Sequence, residues 1–202
     1  MPKGTPKIIT QNRGDELSYE SFFMNAVEGL FQSTMSGKFI TVNPALAKML
    51  GYDGPEDMIS MLQDLKFQLY VDPSDRDRLV AILKEEGSIT DFETQFICKD
   101  GSSKWINLAA REVRGEDGKL CYIEGLNIDI TARKRAEMAL RESEQKFRRT
   151  FDQSPIGAAI VNLNYFFIRV NKVLCDITGY SEEELLLKKL SILSIPMTFP
   201  WG

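Results

Sequence analysis

The sequence predicts an α+β fold, and three observations support this class. Two short β-prone runs joined by a glycine turn come first, and helix-forming segments follow them. Three longer runs with alternating apolar residues, separated by tight turns, come next. The opening of this pattern then occurs a second time later in the chain. Strands and helices that occur in separate runs are typical of the α+β class, so we expect helices packed against a sheet.

A gapless repeat relates residues 23–56 to residues 151–184 at one constant offset. The matched positions hold the same glycine, asparagine, aromatic or aliphatic residue in both copies. They are Gly29 and Gly157, Phe39 and Phe167, Ile40 and Ile168, Val42 and Val170, Asn43 and Asn171, Leu46 and Leu174, Gly51 and Gly179, and Tyr52 and Tyr180. This repeat predicts one module, a connector and the opening of a second module. We expect the second copy to stop short of a complete core.

Composition restricts the class of protein. The 202 residues are 43% hydrophobic and 27% charged, which is typical of a globular chain with one domain of ~100 residues and part of another. The net charge of −4 argues against general affinity for nucleic acid. Signal-peptide and membrane-spanning stretches are absent from the sequence, so we expect a cytoplasmic protein. Cys98, Cys121 and Cys175 lack the spacing of metal ligands and favour reduced thiols.

A leader, a helix and a hairpin are predicted for the first part of the chain. Residues 1–14 are rich in Pro, Gly and Lys and predict a flexible leader, while Glu16 to Val27 predict a short helix. Leu30 to Met35 and Phe39 to Val42 are β-prone runs joined by Ser36-Gly37, where glycine permits the positive φ of a tight turn. These two runs are therefore predicted to pair.

The residues after the hairpin predict a capped helix in both copies. Asn43 can accept hydrogen bonds from the first free N–H groups of a helix, and Pro44 fits the first helical position. Gly51 suits the left-handed residue that ends a helix. Asn171 and Gly179 occupy the same places in the second copy. We interpret these shared residues as structural and not as ligand contacts.

A second helix and three strands are predicted from residue 73 onwards. The helix runs from Pro73 to Glu86, with apolar residues on one side. The strands are Ile89 to Cys98, Lys104 to Val113 and Leu120 to Ile130, with turns at 99–102 and 116–119 between them. A further helix is predicted to begin directly after the last strand.

An ordered set of motifs accompanies these elements. They are Val42-Asn43-Pro44 with Gly51-Tyr52, Val71-Asp72-Pro73-Ser74-Asp75-Arg76, Lys99-Asp100-Gly101 followed by Trp105, Glu116-Asp117-Gly118, and Asp129-Ile130-Thr131 with Arg133-Lys134-Arg135-Ala136-Glu137. Together they resemble a PAS domain of the S-box type with a C-terminal PAC-like motif, over about residues 17–133. The resemblance implies a five-stranded antiparallel sheet with helices on one face. It also implies a bacterial-type sensory protein that passes a signal to an output domain.

The predicted domain organisation has four parts. A flexible leader occupies residues 1–14, a PAS domain with its N-terminal helix 15–131, a helical or coiled-coil connector 132–150, and the truncated N-terminal part of a second PAS domain 151–202. Residues 195–202 depart from the family pattern. One codon choice for them, read two bases later, encodes Pro-Asp-Asp-Leu-Pro-Met-Gly, an expected PAS continuation. A frameshifted end of a longer protein and an arbitrary end are both compatible with this tail.

The family's ligand pocket lies between the helices and the inner face of the sheet. Strand alternation and the family's facing place seven strand residues there, and two residues of the predicted helix 73–86 are added to them as candidates. They are Leu79, Leu83, Phe92, Thr94, Phe96, Ile106, Leu108, Ile123 and Asn127. Core filling and a cavity for a small-molecule ligand are both compatible with this mostly apolar set. Asn127 is the residue of interest, because a buried amide must find partners in backbone, water or a polar ligand.

The identity of any cofactor is left open by the sequence, but two classes are disfavoured. The chain has no histidine, which excludes the histidine-ligated haem of some PAS sensors. The segment from Asp53 to Met58 lacks the asparagine-cysteine-arginine signature of LOV-type photosensors, so cysteinyl-flavin photochemistry is not expected. No clustered ligands support a metal site.

Trp105, Tyr122, Leu126 and Ile128 are predicted to form an apolar patch on the outer face of the sheet. Such a patch needs a cover. We expect the N-terminal helix and a second subunit to provide it together, in a homodimer of the kind that resembling PAS modules form.

The connector from Thr131 to Phe151 predicts a short, marginal coiled coil. Its seam residues recur at alternating four- and three-residue steps and are Ala136, Leu140, Ser143, Phe147 and Thr150. Small and polar seam residues weaken packing, so two arrangements can have similar energies, which suits a relay. Thr131 can cap this helix, and Asp129 can either assist the cap or pair with a basic residue such as Arg133. The resemblance implies that Asp129, Ile130 and Thr131 couple the last strand to the helix, and an ordinary strand-to-helix cap is the alternative.

Two rival functions are weaker. The connector carries an excess of basic residues, but interleaved acids favour a solvated helix, so no nucleic-acid partner is expected. Glu93 and Glu112 could meet across adjacent strands as acid–base carboxylates, yet no nucleophile or phosphate loop accompanies them. We therefore predict a non-catalytic sensory module with a ligand or protein partner, whose parent protein carries a histidine kinase or diguanylate cyclase output. A ligand-free dimerisation relay is the alternative.

Overall fold

The structure is a computed structural model that describes residues 20–115 and 118–193. The predicted leader at 1–14, the first residues of the predicted N-terminal helix, and the tail at 195–202 lie outside the described residues. The same holds for Glu116 and Asp117 of the predicted turn. The described chain divides into two compact units, one ending at Arg135 and the other beginning at Ala136.

The first unit contains a five-stranded sheet. Its strands are β1 (Gly29–Ser33), β2 (Phe39–Val42), β3 (Ser88–Ile97), β4 (Ser103–Arg114) and β5 (Leu120–Asp129). Their order is β2-β1-β5-β4-β3, and every neighbouring pair is antiparallel. The predicted five-stranded antiparallel sheet is therefore confirmed. The last strand in sequence pairs with the first, which brings the start of the hairpin beside the strand that leads to the connector.

Helices pack against one face of this sheet. They are α2 (Pro44–Met49), α3 (Pro55–Met61), α4 (Leu65–Gln68) and α5 (Pro73–Glu86). A further helix, α1, comes before β1, and its described part is residues 20–25. Buried residues of these helices and of alternate strand positions form one hydrophobic core, which includes Phe31, Leu46 and Ile106. Helix α5 has the predicted bounds, whereas α3 and α4 have no counterpart in the sequence prediction.

Asn43 connects the hairpin to α2 through its buried side-chain amide. Its Oδ1 accepts from the backbone N–H groups of Leu46 and Leu30, both at 2.9 Å, and its Nδ2 donates to the carbonyl of Glu28 at 2.9 Å. The predicted cap is thus confirmed, and Gly51 after the helix has the expected positive φ of 82°. The same amide also fixes the start of β1.

The second unit repeats the opening of this fold. Helix α6 (Thr131–Asp152) leads into it, and β6 (Ala159–Val161) pairs antiparallel with β7 (Phe167–Val170). Helices α7 (Lys172–Thr178) and α8 (Glu182–Leu186) and a 3-10 turn (Leu190–Leu193) follow. A small core of Phe167, Val170 and Leu185 holds these elements together. This two-stranded unit fits the predicted partial second PAS unit.

Candidate functional site

The nine candidates for the inner face are all buried. Leu79 and Leu83 of α5 belong to the same core as Phe92, Phe96, Ile106, Leu108 and Ile123 of the sheet. Thr94 and Asn127 are each 1% exposed and lie beside this core, since Thr94 is opposite Ile106 and Asn127 is opposite Leu108. The structure therefore brings the predicted residues together on the face that the helices cover.

Two polar atoms within this interior lack a hydrogen-bond partner among the described residues. They are Oδ1 of Asn127 and Oγ of Ser33, and Ser33 is 0% exposed. A buried acceptor without a partner costs free energy, so both atoms mark places where a water or a polar ligand group would be stabilised. The sequence interpretation selected Asn127 but missed Ser33. The alternation of Gly29, Phe31 and Ser33 along β1 is the signal that could have found it.

A polar cluster borders the core where α5 begins. Thr94 donates from Oγ1 to Asp75 Oδ2 at 2.7 Å, and the buried guanidinium of Arg76 donates to the carbonyl of Thr34 at 3.1 Å. Tyr70 is also buried, and this burial raises the pKa of its hydroxyl. These side chains satisfy one another and tie α5 to the sheet and the hairpin. Only Thr94 among them was a predicted pocket residue.

A groove of about 450 Å³ lies at a different place, beside the outer face of the sheet. Phe22 and Phe23 of α1, Leu30 of β1, Ala109 of β4 and Leu126 of β5 line it together with residues from the strand ends. Phe23 is buried, whereas Phe22 is 67% exposed. This site depends on packing between α1 and four strands, which periodicity along one segment cannot indicate.

The predicted outer-face patch is only partly covered within one chain. Ile128 is 40% exposed, Leu126 faces the groove, and Trp105 and Tyr122 are half-buried. The Lys134 ammonium lies 5.2 Å from the centre of the Trp105 ring, which is the distance of a cation–π contact. Part of the patch is therefore protected by the beginning of α6.

Hydrogen bonds join the last strands to α6. Thr131 Oγ1 accepts from the backbone N–H of Trp105 at 3.0 Å, and the N–H of Ile130 donates to the Trp105 carbonyl at 2.9 Å. Asp129 Oδ1 accepts from the N–H of Thr131 at 2.9 Å. The Thr131 hydroxyl therefore contacts β4. Thr131 is the first residue of α6 and not the residue before it, so the predicted cap position of Thr131 is wrong.

Asp129 therefore assists at the start of the helix, one of the two predicted options, and it also pairs with a basic residue. That residue is Lys104, at 2.9 Å, and not Arg133, the example that the sequence analysis gave. Partial burial acts to raise the pKa of Asp129, but the hydrogen bonds from Thr131 and Lys104 hold that pKa below its usual value. Arg133 instead donates to Glu93. Asp129 is thus charged near neutral pH and holds the end of β5 to both β4 and α6.

The predicted seam residues of α6 lie on its exposed surface. Ala136, Leu140, Ser143, Phe147 and Thr150 are all exposed, with Leu140 at 62% and Phe147 at 47%. Phe151, one turn after Phe147, is buried in the second unit, and the two rings lie 5.7 Å apart. An apolar stripe on this highly charged helix is consequently open to solvent along most of its length.

Two sequence profiles of the PAS domain match this chain, one over residues 27–132 and the other over residues 145–200. The first match covers the five-stranded sheet with its helices, and the second covers the repeated opening. The chain belongs to the PAS domain family. Its two PAS regions correspond to the two copies that the internal repeat predicted.

The relatives of this PAS chain include sensor kinases. Sporulation kinase E of Bacillus subtilis (strain 168) is 27% identical over 198 residues, which is 93% of this chain and 25% of that protein. Sensor histidine kinase TmoS of Ectopseudomonas mendocina is 22% identical over 146 residues, 70% of this chain and 14% of that protein. The chain therefore spans a quarter or less of the length of these relatives.

A solved structure supports the fold. The PAS domain of a protein from Colwellia psychrerythraea has a TM-score of 0.51 and 22% identity, and the match covers 58% of this chain and 98% of that one. The family matches and the sensor kinase relatives together indicate a sensory type of PAS module, which is typical of histidine kinases and other sensors.

The two carboxylates that the sequence analysis paired are far apart in the sheet. Glu93 and Glu112, considered together as acid–base carboxylates, are not neighbours, because Glu93 is opposite Asn107 while Glu112 lies beyond Ser88 at the other end of the strand pair. Glu112 is instead ion-paired with Arg114. Among the described residues, no three Cys, Asp or Glu side chains are grouped as a metal site requires. None of the described helices is long and apolar enough to cross a membrane.

Proposed function

We propose that the first PAS domain senses a small ligand through its inner face and relays the signal through α6 in a homodimer. The observation that carries this proposal is the set of hydrogen bonds at Trp105, Asp129 and Thr131, which joins strands β4 and β5 directly to the first residue of α6. A change at the inner face of these strands would therefore reach the helix without crossing a loop.

The ligand-binding part of the proposal rests on the buried polar atoms of the core. Asn127 lies on β5, two residues before Asp129, and its unpaired Oδ1 would gain a hydrogen bond from a ligand donor. Apolar neighbours such as Leu108 and Leu79 favour a small and largely apolar ligand with one polar group. The nine inner-face residues are proposed as its surroundings, and a water molecule at Asn127 is the competing explanation.

The dimer part of the proposal rests on exposed apolar surface. The outer-face patch and the α6 seam both contain large apolar side chains in contact with solvent, including Ile128 and Leu140. Burying such surface between two copies is favourable, and a parallel pair of α6 helices would place Leu140 against Leu140. Trp105, Tyr122 and Leu126 are proposed to complete the sheet part of this interface.

The output of the relay is proposed to be a histidine kinase, because the relatives described above are kinases of which this chain spans a quarter or less. A diguanylate cyclase is the second candidate from the sequence. The domain boundaries at residues 15, 132 and 151 remain predictions. A cytoplasmic location is proposed because the sequence contains no signal-peptide or membrane-spanning stretch.

The first test is native mass spectrometry of the whole chain expressed in a bacterial host, with an absorption spectrum of the same sample. We expect a dimer that carries a discrete additional mass. Asn127→Leu removes the amide at nearly constant volume and should abolish the added mass, while Ser33→Ala, at the other unpaired atom, should retain it. A dimer without added mass would favour the ligand-free relay, and a monomer at all accessible concentrations would contradict the dimeric mechanism.

A further inference from the structure

We propose that Glu93 and Arg169 are positioning residues that hold the two ends of α6, each fixing the rotation of that end about the helix axis. Glu93 acts in the first unit and Arg169 in the second. The inference rests on the proposed role of α6 as the relay. It concerns contacts other than the Asp129–Thr131 junction, which attaches the helix to the end of β5.

Glu93 contacts two adjacent residues of the first turn of α6. Its Oε1 accepts from the Arg133 guanidinium at 2.5 Å, and its other oxygen pairs with the Lys134 ammonium. Adjacent residues point about 100° apart around a helix. One carboxylate that binds both therefore restrains the rotation of the helix as well as its position. Lys134 is held further by the ring of Trp105, and the two cations keep the pKa of Glu93 below its usual value.

Arg169 of β7 makes a comparable set of contacts at the last two turns of α6. Its guanidinium donates to both carboxylate oxygens of Asp152, each at 3.0 Å. The same group lies 5.0 Å from the ring centre of Phe151 and 5.8 Å from that of Phe147. Phe151 and Asp152 are adjacent and point about 100° apart around the helix, so Arg169 also restrains rotation.

The internal repeat separates the Arg169 contact from the requirements of the fold. Phe151 corresponds to Phe23, and both rings are buried, so this anchor is common to the two copies. Asp152 corresponds to Met24 and Arg169 to Thr41, so the first copy has no such ion pair at its own leading helix. The fold therefore forms without it, and the pair is an addition at the end of the connector.

The exposure of these ion pairs also indicates a local role at the helix ends. Arg133, Asp152 and Arg169 are 51%, 49% and 30% exposed in their side chains, and ion pairs at this exposure contribute little to global stability. Their larger effect is local, because they limit fraying and rotation at the ends of a helix whose central turns are exposed. A helix restrained at both ends transmits rotation, whereas a frayed end would absorb it.

The test is hydrogen–deuterium exchange of the full chain, followed in peptides from the two ends of α6. We expect Glu93→Gln to accelerate exchange at residues 131–138 about two- to fivefold, the range for an exposed ion pair, with residues 146–153 unchanged. Arg169→Ala should accelerate exchange at residues 146–153 and leave residues 131–138 unchanged. Arg111→Ala breaks a similarly exposed pair with Glu124 on the sheet, away from α6, and serves as the matched control that leaves both peptides unchanged.

Rescue distinguishes positioning from a general loss of structure. The double change Arg169→Asp with Asp152→Arg restores the pair with reversed charges, and it should return exchange at residues 146–153 towards that of the original chain. Unchanged α6 exchange in both single variants, or equal acceleration throughout the unit, would overturn the proposal. Hydrogen exchange reports on each end of α6 separately from dimerisation and ligand binding. If the chain is monomeric and ligand-free but exchange still changes at one end only, the roles of Glu93 and Arg169 are supported and the proposed relay is contradicted.

Discussion

Asn43 and Asn171 perform the same structural task in the two PAS regions. Each is at most 1% exposed and caps a helix through Oδ1. The Asn171 Nδ2 donates to the carbonyls of Phe151 and Ile156, at 3.1 and 2.9 Å, whereas the Asn43 Nδ2 donates to the carbonyl of Glu28. The repeat and the cap chemistry predicted both residues because the cap bond, to the N–H three residues later, is local in sequence.

Asn43→Ala should lower the free energy of unfolding of the first unit by about 2–3 kcal/mol. The change removes the α2 cap and leaves the N–H of Leu30 and the carbonyl of Glu28 without their partner. Urea unfolding measures the effect. Asn43→Asp keeps the acceptor and loses only the donor, so it should lose less at neutral pH, and an equal loss would contradict the role of the cap.

Gly125 shows why part of the interior could not be predicted from sequence. A Cβ at this position would lie 2.3 Å from the Ala109 carbonyl oxygen and 2.9 Å from the Phe31 ring. Both neighbours come from other strands, so the requirement for glycine appears only once the strand register is known. Ser33 and Arg76 escaped the sequence interpretation for the same reason, since the surroundings of each come from distant segments.

Gly125→Ala should therefore destabilise the first unit by about 1–3 kcal/mol, because a backbone carbonyl cannot move aside as a flexible side chain would. Gly54→Ala is a suitable comparison. A Cβ there meets nothing closer than Glu56 Oε2 at 3.7 Å, and its φ of −179° is accessible to alanine. Thermal unfolding of the two variants should separate them clearly, and similar melting temperatures would contradict the proposed clash.

The helices and strands differ in how well their sequences specify them. Helix α5 was predicted with its observed bounds because apolar residues recur on one of its sides, and in the structure Asp72 and Gly87 cap its two ends. The three long strands were each predicted to within one residue at both ends. Helices α3 and α4 contain seven and four residues, too few for a clear period, and were missed. Short elements of this kind are stabilised by the core they cover.

The junction between β5 and α6 gives a prediction for a single hydroxyl. Thr131→Val keeps the shape of the side chain but leaves the N–H of Trp105 without an acceptor, so unfolding should become easier by about 1–2 kcal/mol. Thr131→Ser retains the hydroxyl and should cost much less. Equilibrium unfolding followed by the fluorescence of Trp105 is the measurement, and equal stability of the two variants would rule out the hydrogen bond as a stabilising contact.

Long-range pairing determines the architecture, and the residues alone did not specify it. The strand order places β1 beside β5, although the two strands lie at opposite ends of the first unit in sequence. The antiparallel sheet was implied by the PAS resemblance, because local periodicity does not show which strands pair. The same limit applies to function. Alternation identified the inner face, but the groove beside α1 and the ion pairs of Glu93 and Arg169 required the packed structure.

Lys99 joins distant parts of the first unit through Asp53 and Asp57, at 2.5 and 2.8 Å. These hydrogen bonds raise the pKa of Lys99 to about 12, and the Lys99 bond holds the pKa of Asp57 below its usual value. A raised lysine pKa stabilises the fold below about 10.5, its unfolded value, and this contribution is lost as the pH rises through 12. The lowered Asp57 pKa stabilises above about 3.8, and that contribution is lost as the pH falls.

Lys99→Met should therefore be less stable than the original chain by a constant difference from about pH 5 to pH 10, the interval between these two limits. The difference should shrink below about pH 4 as Asp57 is protonated. Urea unfolding across this range provides the test. A difference that persists unchanged at pH 3 would show that Lys99 acts through packing on Tyr52 and not through its charge.

The proposed dimer makes the final prediction, since α6 offers two similarly exposed apolar residues on opposite sides. Leu140 is 62% exposed on the proposed seam, and Met138 is 57% exposed. Two residues correspond to about 200° around the helix, so Met138 faces away from the seam. Leu140→Glu places two carboxylates together in a parallel pair and should weaken dimerisation at least about tenfold, whereas Met138→Glu should leave it nearly unchanged. Sedimentation equilibrium measures both, and equal dissociation constants would exclude the α6 seam from the interface.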